Sequence, residues 1–252
     1  MKNVLKRCSR RVALAISAVF LAGSFFGCAT QPAEAPNGKA VRVACIGDSI
    51  VYGAGLQDRE HNNWPAVLGR WLGNGWGVRN FGVNGATMLR KGNFPYWNQP
   101  AYHAALDYRP DVLIVSLGAN DTKHPSDQDR NAVNNWQYKN DFASDYRGMI
   151  ASFRSVNPAV KVYVCLPLPA YPGRWGINDT TIRKEVCPLV RKVARETGAK
   201  VIDLYTPLSG KSELFPDTVH PNVEGAKLVA ATVYRALSHR DAPSQAHTWP
   251  GL

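Results

Sequence analysis

The sequence predicts an α/β fold in which helices cover both faces of a five-stranded parallel sheet. Short apolar runs alternate along the chain with segments of helical period, and the loops after the runs are rich in glycine and polar residues. This alternation is typical of a three-layer α/β/α arrangement, because parallel strands need crossover connections that are usually helices. The predicted strands span residues 41–46, 77–81, 111–117, 160–166 and 199–203.

Four amphipathic stretches supply the helices between and after these strands. The first follows Asn63, a suitable N-cap, and has Pro65 in its first turn. The third contains Pro188, which predicts a kink or a restart because proline has no N–H to donate. The last follows Asn222. The apolar faces comprise Trp64, Val67, Leu68, Trp71 and Leu72; Phe142, Tyr146, Met149, Ile150 and Phe153; Ile182, Val186, Val190 and Val193; and Ala226, Val229, Val233 and Leu237.

The first 28 residues predict export. A basic segment precedes an apolar run that is too short to span a bilayer, as in a secretory signal peptide. Cys28 closes the run and resembles the cysteine that becomes lipidated in bacterial lipoproteins. Phe25 and Phe26 depart from that pattern and leave ordinary cleavage near Ala29 open. We therefore expect a protein of the periplasm or outer membrane, in contact with the membrane only through an N-terminal lipid anchor.

The rest of the chain is expected to form one folded unit. Residues 29–39 predict a mobile tether, because they are rich in proline, alanine and polar residues. Residues 40–238 predict one domain, which residues 239–252 follow as a loose polar tail. The oligomeric state is not indicated by the sequence.

Charge and cysteine content exclude several functional classes. The net charge is +11, but five basic residues and no acids lie in the first 28, which leaves 25 basic against 19 acidic residues, or +6. Because these charges form no basic cluster, we expect no nucleic-acid partner. Cys45, Cys165 and Cys187 lie outside the leader, and their odd number predicts buried thiols rather than a disulfide framework. No cysteine or histidine spacing typical of a metal site occurs, and no dinucleotide motif is complete, so we expect neither metal nor cofactor.

Four polar loops are the candidates for a functional site. Ligands of doubly wound sheets bind outside the carboxyl ends of the strands, near the point where the strand order reverses. The loops after the first three strands read GDSI, GVNGAT and GAND, and the sequence FPDTVHPN lies between the last strand and the last helix. They span residues 47–50, 82–87, 118–121 and 215–222.

These loops contain every group that acyl transfer requires. Ser49 is a candidate nucleophile, His220 a candidate base, and Asp217 is close enough in sequence to orient the imidazole. The backbone N–H groups of Ser49 and Gly85 and the side-chain amide of Asn120 are candidate donors to an oxyanion. No G-x-S-x-G motif is present, so an α/β-hydrolase elbow does not present the serine.

The four loops resemble the sequence blocks of the SGNH or GDSL hydrolase family, in order and over about residues 41–237. The four residues that name the family fall on Ser49, Gly85, Asn120 and His220, and the family's acid falls on Asp217. The resemblance implies a flavodoxin-like five-stranded sheet and hydrolysis of esters by a serine nucleophile, without a cofactor.

The substrate is predicted from two further loops. Tyr96 and Trp97 lie in residues 91–103, and Tyr171 and Trp175 lie in residues 167–179. These rings are expected to contact a sugar, although they could instead pack the loops as a local core. Neither loop has the apolar run that a long acyl chain needs, which favours a short acyl group.

The sequence is also similar to exported bacterial carbohydrate O-acetylesterases. This resemblance implies removal of acetyl groups from a complex carbohydrate, which would be the protein's partner. Two alternatives stay open: a lysophospholipase or thioesterase of the same family, and a non-catalytic glycan-binding surface lipoprotein.

Overall fold

The computed structural model describes residues 40–125, 133–173 and 175–243. The predicted signal peptide, the lipidation of Cys28 and the tether lie outside these residues and stay predictions, as does the tail beyond residue 243. Within the described ranges, no helix has both the length and the apolar character needed to cross a bilayer.

The described residues contain a parallel sheet of five strands in the order β2-β1-β3-β4-β5. This confirms the predicted flavodoxin-like α/β fold, and each observed strand end lies within one residue of its predicted position. The strands are β1 (Val41–Gly47), β2 (Trp76–Gly82), β3 (Val112–Ser116), β4 (Lys161–Leu166) and β5 (Lys200–Asp203).

The strand order reverses at β1, which has β2 on one side and β3 on the other. In the parallel register, Gly47 pairs with Gly82 of β2 and with Ser116 of β3. The carboxyl ends of these three strands therefore lie side by side. The polar loops that follow them meet at one edge of the sheet, where a ligand of such a fold is expected.

Helices and single turns connect the strands. The helices are α1 (Ser49–Tyr52), α2 (Arg59–Asn62), α3 (Trp64–Leu72), α4 (Pro100–Asp107), α5 (Lys139–Val156), α6 (Asp179–Thr181), α7 (Cys187–Thr197), α8 (Tyr205–Leu208) and α9 (Val223–Ser238). Turns of 3₁₀ helix lie at Tyr96–Asn98, Asn120–Thr122, Asn135–Tyr138 and Ser212–Leu214, and a π-helical turn lies at Ile182–Val186.

The predicted cap at Asn63, the helix start after Asn222 and the proline break have clear structural outcomes. The Asn63 side chain accepts the Ala66 N–H at the start of α3, and the Asn222 side chain accepts the Gly225 N–H at the start of α9. Pro188 does not stop the helix. The wider π turn lies directly before α7, at the point where the missing proline N–H interrupts the α-helical ladder.

The core lies in two layers, one on each face of the sheet. Alternate β1 side chains pack into the two layers because successive strand residues point to opposite faces. Ala44 and Ile46 pack with α5 and α7, whereas Val43 and Cys45 pack with α3 and α9. The predicted apolar faces of α5 and α7 are fully buried, and their packing holds in place the sheet that carries the polar loops.

Candidate active site

Ser49 is presented by a tight turn at the end of β1. Only glycine fits at position 47, because a Cβ atom there would collide with the Ser116 carbonyl and with Val51. Glycine is therefore required here so that β1 can approach the Ser116 carbonyl closely. The buried Asp48 then caps α1 by accepting the Ile50 N–H at 3.0 Å. Ser49 follows as the first residue of α1, with its N–H at the helix start.

Ser49, His220 and Asp217 form a continuous chain of hydrogen bonds. The Ser49 Oγ lies 2.8 Å from Nε2 of His220. The Nδ1 of the same ring lies 2.7 Å from an Asp217 carboxylate oxygen. Residues that are 171 positions apart in the sequence are thus in direct contact. The spacing is that of a nucleophile, a base and a group that orients the base.

The Asp217 carboxylate determines which imidazole nitrogen carries the proton. Its second oxygen accepts the backbone N–H groups of Val219 and His220 at 3.1 and 2.7 Å. Partial burial by itself raises the pKa of Asp217, but the hydrogen bonds from His220 and Val219 outweigh it and lower the pKa below its usual value. An ionised carboxylate only accepts, so Nδ1 of His220 donates and Nε2 is left to accept from Ser49.

The loop before α6 packs against this acid and base pair. The Trp175 ring meets the His220 ring edge-on with centroids 5.4 Å apart, and its Nε1–H donates to the Asp217 carbonyl at 3.1 Å. Thr218, between the acid and the base, has φ of +76°, which is rare for a β-branched residue. Its carbonyl accepts the Tyr171 N–H. These contacts hold the turn that aligns His220.

Gly85 and Asn120 lie in neighbouring loops that are joined to each other. The Ala86 N–H donates to the Val83 carbonyl, and Gly85 has φ of +78° within that turn, a position that favours glycine. Within the described part of the chain, the Gly85 N–H donates to no group. The buried Asn120 amide donates to the Ala86 carbonyl at 3.1 Å. One N–H of Gly85 and one of Asn120 therefore remain for a ligand.

Two residues that sequence analysis missed hold these loops together. The Asp121 carboxylate is fully buried and accepts the Met88 and Leu89 N–H groups at 3.0 and 2.7 Å. The Asn135 side chain donates to the Asn120 carbonyl at 2.9 Å. Asp121 directly follows Asn120 in the GAND loop, so its position was a usable signal. Asn135 carries no such signal, because its contacts depend on how distant segments pack.

Burial alters the protonation of the acids under the loops. It raises the pKa of Asp48 to about 6 even though the Ile50 N–H favours the carboxylate. It raises the pKa of Asp121 to about 7, and the charge of Asp48 adds to that rise. Burial also lowers the pKa of Lys123, which Asp48 and Asp121 partly counteract. The loops thus enclose two carboxyl groups, those of Asp48 and Asp121, whose pKa values burial raises toward neutrality.

The four aromatic residues that were expected to contact a sugar have different positions. The prediction for Tyr96 and Trp97 is wrong, because both rings lie in the core and their polar atoms are satisfied there. The Tyr96 hydroxyl donates to the Phe81 carbonyl, and the Trp97 Nε1–H donates to the Met88 carbonyl. Tyr171 is half-buried, with its hydroxyl on the Leu208 carbonyl. Trp175 is 37% exposed beside the imidazole.

The remaining reactive side chains are placed as follows. Cys45, Cys165 and Cys187 are buried and unpaired. Burial raises the pKa of each thiol, so these groups stay protonated and unreactive at neutral pH. Among the described residues, no three His, Cys, Asp or Glu side chains are grouped to bind a metal ion.

Comparisons with known proteins identify relatives of this chain. Residues 45–228 match the GDSL-like lipase/acylhydrolase family. The chain is 38% identical over 221 residues to an acetylxylan esterase of Xylanibacter ruminicola. That match covers 81% of this chain and 44% of the relative, so the chain spans less than half of that protein.

Solved structures show the same fold at low sequence identity. A carbohydrate acetylesterase from Sinorhizobium meliloti superposes with a TM-score of 0.58 and 18% identity, over 79% of this chain and 99% of the other. An aryl esterase from M. smegmatis gives a TM-score of 0.59 and 17% identity, over 79% and 98% of the two chains.

Proposed function

Because the chain belongs to the GDSL-like lipase/acylhydrolase family, we propose that it is a serine esterase that removes acetyl groups from a complex carbohydrate. The observation that carries the proposal is the hydrogen-bonded chain from Ser49 through His220 to Asp217. The joined loops of Gly85 and Asn120 add the two donors that an ester's oxyanion needs.

The first half of the reaction forms an acyl-enzyme. The Ser49 oxygen attacks the ester carbonyl carbon while its proton passes to Nε2 of His220. The Asp217 carboxylate stabilises the resulting imidazolium through Nδ1. The negative charge on the carbonyl oxygen is met by the N–H groups of Ser49, Gly85 and Asn120. When the tetrahedral intermediate collapses, the carbon–oxygen bond to the alcohol breaks, and His220 donates its proton to the departing oxygen.

The second half returns the enzyme to its starting state. A water molecule gives a proton to Nε2 of His220 and attacks the acyl carbon. The same three N–H groups meet the oxyanion again. The bond to the Ser49 oxygen then breaks, and that oxygen takes the proton back from His220 as the free acid leaves.

The acetyl group and the carbohydrate are proposed on two grounds. The relative at 38% identity is named an acetylxylan esterase, and one structural neighbour is named a carbohydrate acetylesterase. In addition, Tyr96 and Trp97 pack into the core, so they do not form an apolar trough for a long acyl chain. A short acyl group is the substrate that such a site favours.

Ser49→Ala provides the test of the nucleophile. We expect it to abolish acetate release from acetylated xylan and labelling by a fluorophosphonate, with the thermal unfolding midpoint almost unchanged. Ser209→Ala is the matched control, because the Ser209 hydroxyl only donates to the Tyr205 carbonyl on an exposed turn. Acetate release by Ser49→Ala at the wild-type rate would refute the assignment. Preference for p-nitrophenyl octanoate over the acetate would instead support the long-chain alternative.

We also propose that the protein is exported and lipidated at Cys28, on the leader pattern alone. Cells that express the wild type should yield a membrane-bound form carrying labelled fatty acid, and Cys28→Ala should lose the label. A label that persists in the variant would rule out this anchor.

A further inference from the structure

We propose that a cavity beside His220, lined by residues 54–57, 216–217 and 220–223, is the subsite for the alcohol part of the ester and that it selects an uncharged, hydroxylated alcohol such as a sugar. The cavity has a volume of about 340 Å³. The inference rests on the proposed function, which it deepens by assigning the leaving-group side.

The two walls of the cavity are connected directly to the nucleophile and to the base. One wall is the loop that follows α1, in which Ala54 donates its N–H to the Ser49 carbonyl at 2.9 Å. The other wall contains Asp217 and His220 and continues to Val223 at the start of α9. The cavity therefore lies next to the bond between Ser49 and His220.

The chemistry requires the alcohol to leave on this side. The departing oxygen receives its proton from Nε2 of His220, so it must lie next to the imidazole. The carbonyl oxygen points instead toward Gly85 and Asn120, whose loops follow β2 and β3. The alcohol thus extends from the attacked carbon past His220 and away from those loops. The cavity between the loop after α1 and the His220 loop is in the correct place to hold it.

The side chains that line the cavity fit a neutral polyol. Leu56, Pro221 and Val223 offer apolar surface for the C–H faces of a sugar ring, and the exposed Gln57 offers an amide for hydroxyl groups. Gly55 has φ of +78°, and nothing lies within 4 Å of the position where its Cβ would be. The space beside its Cα is therefore open to a ligand.

Charge argues against the other leaving groups of this enzyme class. The residues that line the cavity include one carboxylate, Asp217, and neither lysine nor arginine. The coenzyme A thiol that a thioesterase releases and the glycerophosphoryl alcohol that a lysophospholipase releases both carry phosphate, which favours cationic partners. A second cavity of about 370 Å³ does have them, in Arg183, Arg191 and Arg195, but it lies at the ends of β4 and β5 on α7. The cationic cavity is thus not the one next to His220.

A cavity-filling variant tests the assignment. Gln57→Trp should lower the ratio of kcat/KM for an acetylated xylo-oligosaccharide to that for methyl acetate by at least about tenfold, as expected when bulk obstructs a binding pocket. Methyl acetate shares the acyl group but has almost no alcohol part. Arg195→Trp fills the other cavity and should leave both values within about twofold of wild type. Gln57→Ala should lower the same ratio more weakly, through a higher KM.

The outcomes separate failure of the subsite from failure of the esterase. An unchanged ratio in Gln57→Trp, or an equal change of the ratio in Arg195→Trp, would overturn the subsite while the esterase stands. A wild type that hydrolyses acetyl-coenzyme A faster than the acetylated oligosaccharide would overturn the predicted alcohol class. Lack of any Ser49-dependent hydrolysis of methyl acetate would refute the proposed function itself.

Discussion

Replacing Asn120 by alanine removes one oxyanion donor and leaves the nucleophile and the base in place. The Asn120 amide has two N–H groups, and the Ala86 carbonyl takes one of them at 3.1 Å. Loss of the other should reduce kcat by roughly 10² to 10³, the usual effect of removing one oxyanion donor, or about 2.7–4 kcal/mol. Loss of the bond to Ala86 leaves a buried carbonyl unpaired, which costs about 1–3 kcal/mol of folding free energy. The variant should therefore still fold.

The assay is steady-state hydrolysis of methyl acetate, with kcat and KM determined separately and stability followed by urea unfolding. KM should change little, because the charge on the carbonyl oxygen develops only in the transition state. Asn135→Ala is the matched control, since it removes a buried amide of the same network that donates to the Asn120 carbonyl. It should cost comparable stability and reduce kcat less than about tenfold. A decrease below threefold in Asn120→Ala, or equal decreases in both variants, would refute the assignment of Asn120 as a donor.

Three further predictions concern the groups around the site. Asp121→Asn should lower kcat at least about tenfold, because an amide has one accepting oxygen, whereas the Asp121 carboxylate accepts the Met88 and Leu89 N–H groups with two. Asp145→Asn is the control: its amide oxygen can still accept the exposed Arg90 N–H of the same loop, so kcat should change less than threefold. Comparable losses in the two variants would contradict this role of Asp121. Burial raises the pKa of Asp48 to about 6 and of Asp121 to about 7, above the unfolded value of about 3.9. The folded state therefore binds these protons more tightly than the unfolded state does. This contribution to the free energy of unfolding is complete below about pH 4 and is lost as the pH rises through 7. Each group changes the free energy of unfolding by at most about 1.4 kcal/mol per pH unit. Urea unfolding between pH 5 and 8 should show that the free energy of unfolding falls less steeply with pH for Asp121→Asn than for the wild type. Parallel curves would refute the raised pKa of Asp121. Trp175→Ala should lower kcat/KM, because it removes a ring contact with His220 and a hydrogen bond to the Asp217 carbonyl that each contribute about 0.5–1.5 kcal/mol. Trp175→Phe should recover part of the loss. Identical pH profiles of kcat/KM for the two variants would argue against a role of Trp175 in holding the imidazole.

Periodicity predicted the sheet well because burial on both faces of a strand leaves a local apolar run. The three central strands β1, β3 and β4 are such runs, whereas the edge strands β2 and β5 are less buried and have weaker runs. Asn63 and Asn222 cap helices by contacts within three residues. Proline chemistry predicted an interruption at Pro188, but the π turn that accommodates it depends on how α7 packs. Local signals therefore determined the elements and their ends.

The aromatic loop residues show where local signals fail. Tyr96 and Trp97 lie in a loop rich in polar residues, yet their rings complete the core beside α4 and α5. Trp175 has similar surroundings in sequence but lies next to His220. Whether a large ring faces solvent or the core depends on the space that distant helices leave, and no short stretch of sequence contains that information.

The sequence by itself determined the order of the strands along the chain and the residue types that acyl transfer needs in the loops after them. The tertiary structure alone decided that Ser49 and His220 come within 2.8 Å, and that Asp121 joins the loops of Gly85 and Asn120. The physical reason is the reach of the interactions. Capping and apolar alternation act over a few residues, whereas the alignment of a reactive site depends on a parallel register that brings distant strand ends to one edge.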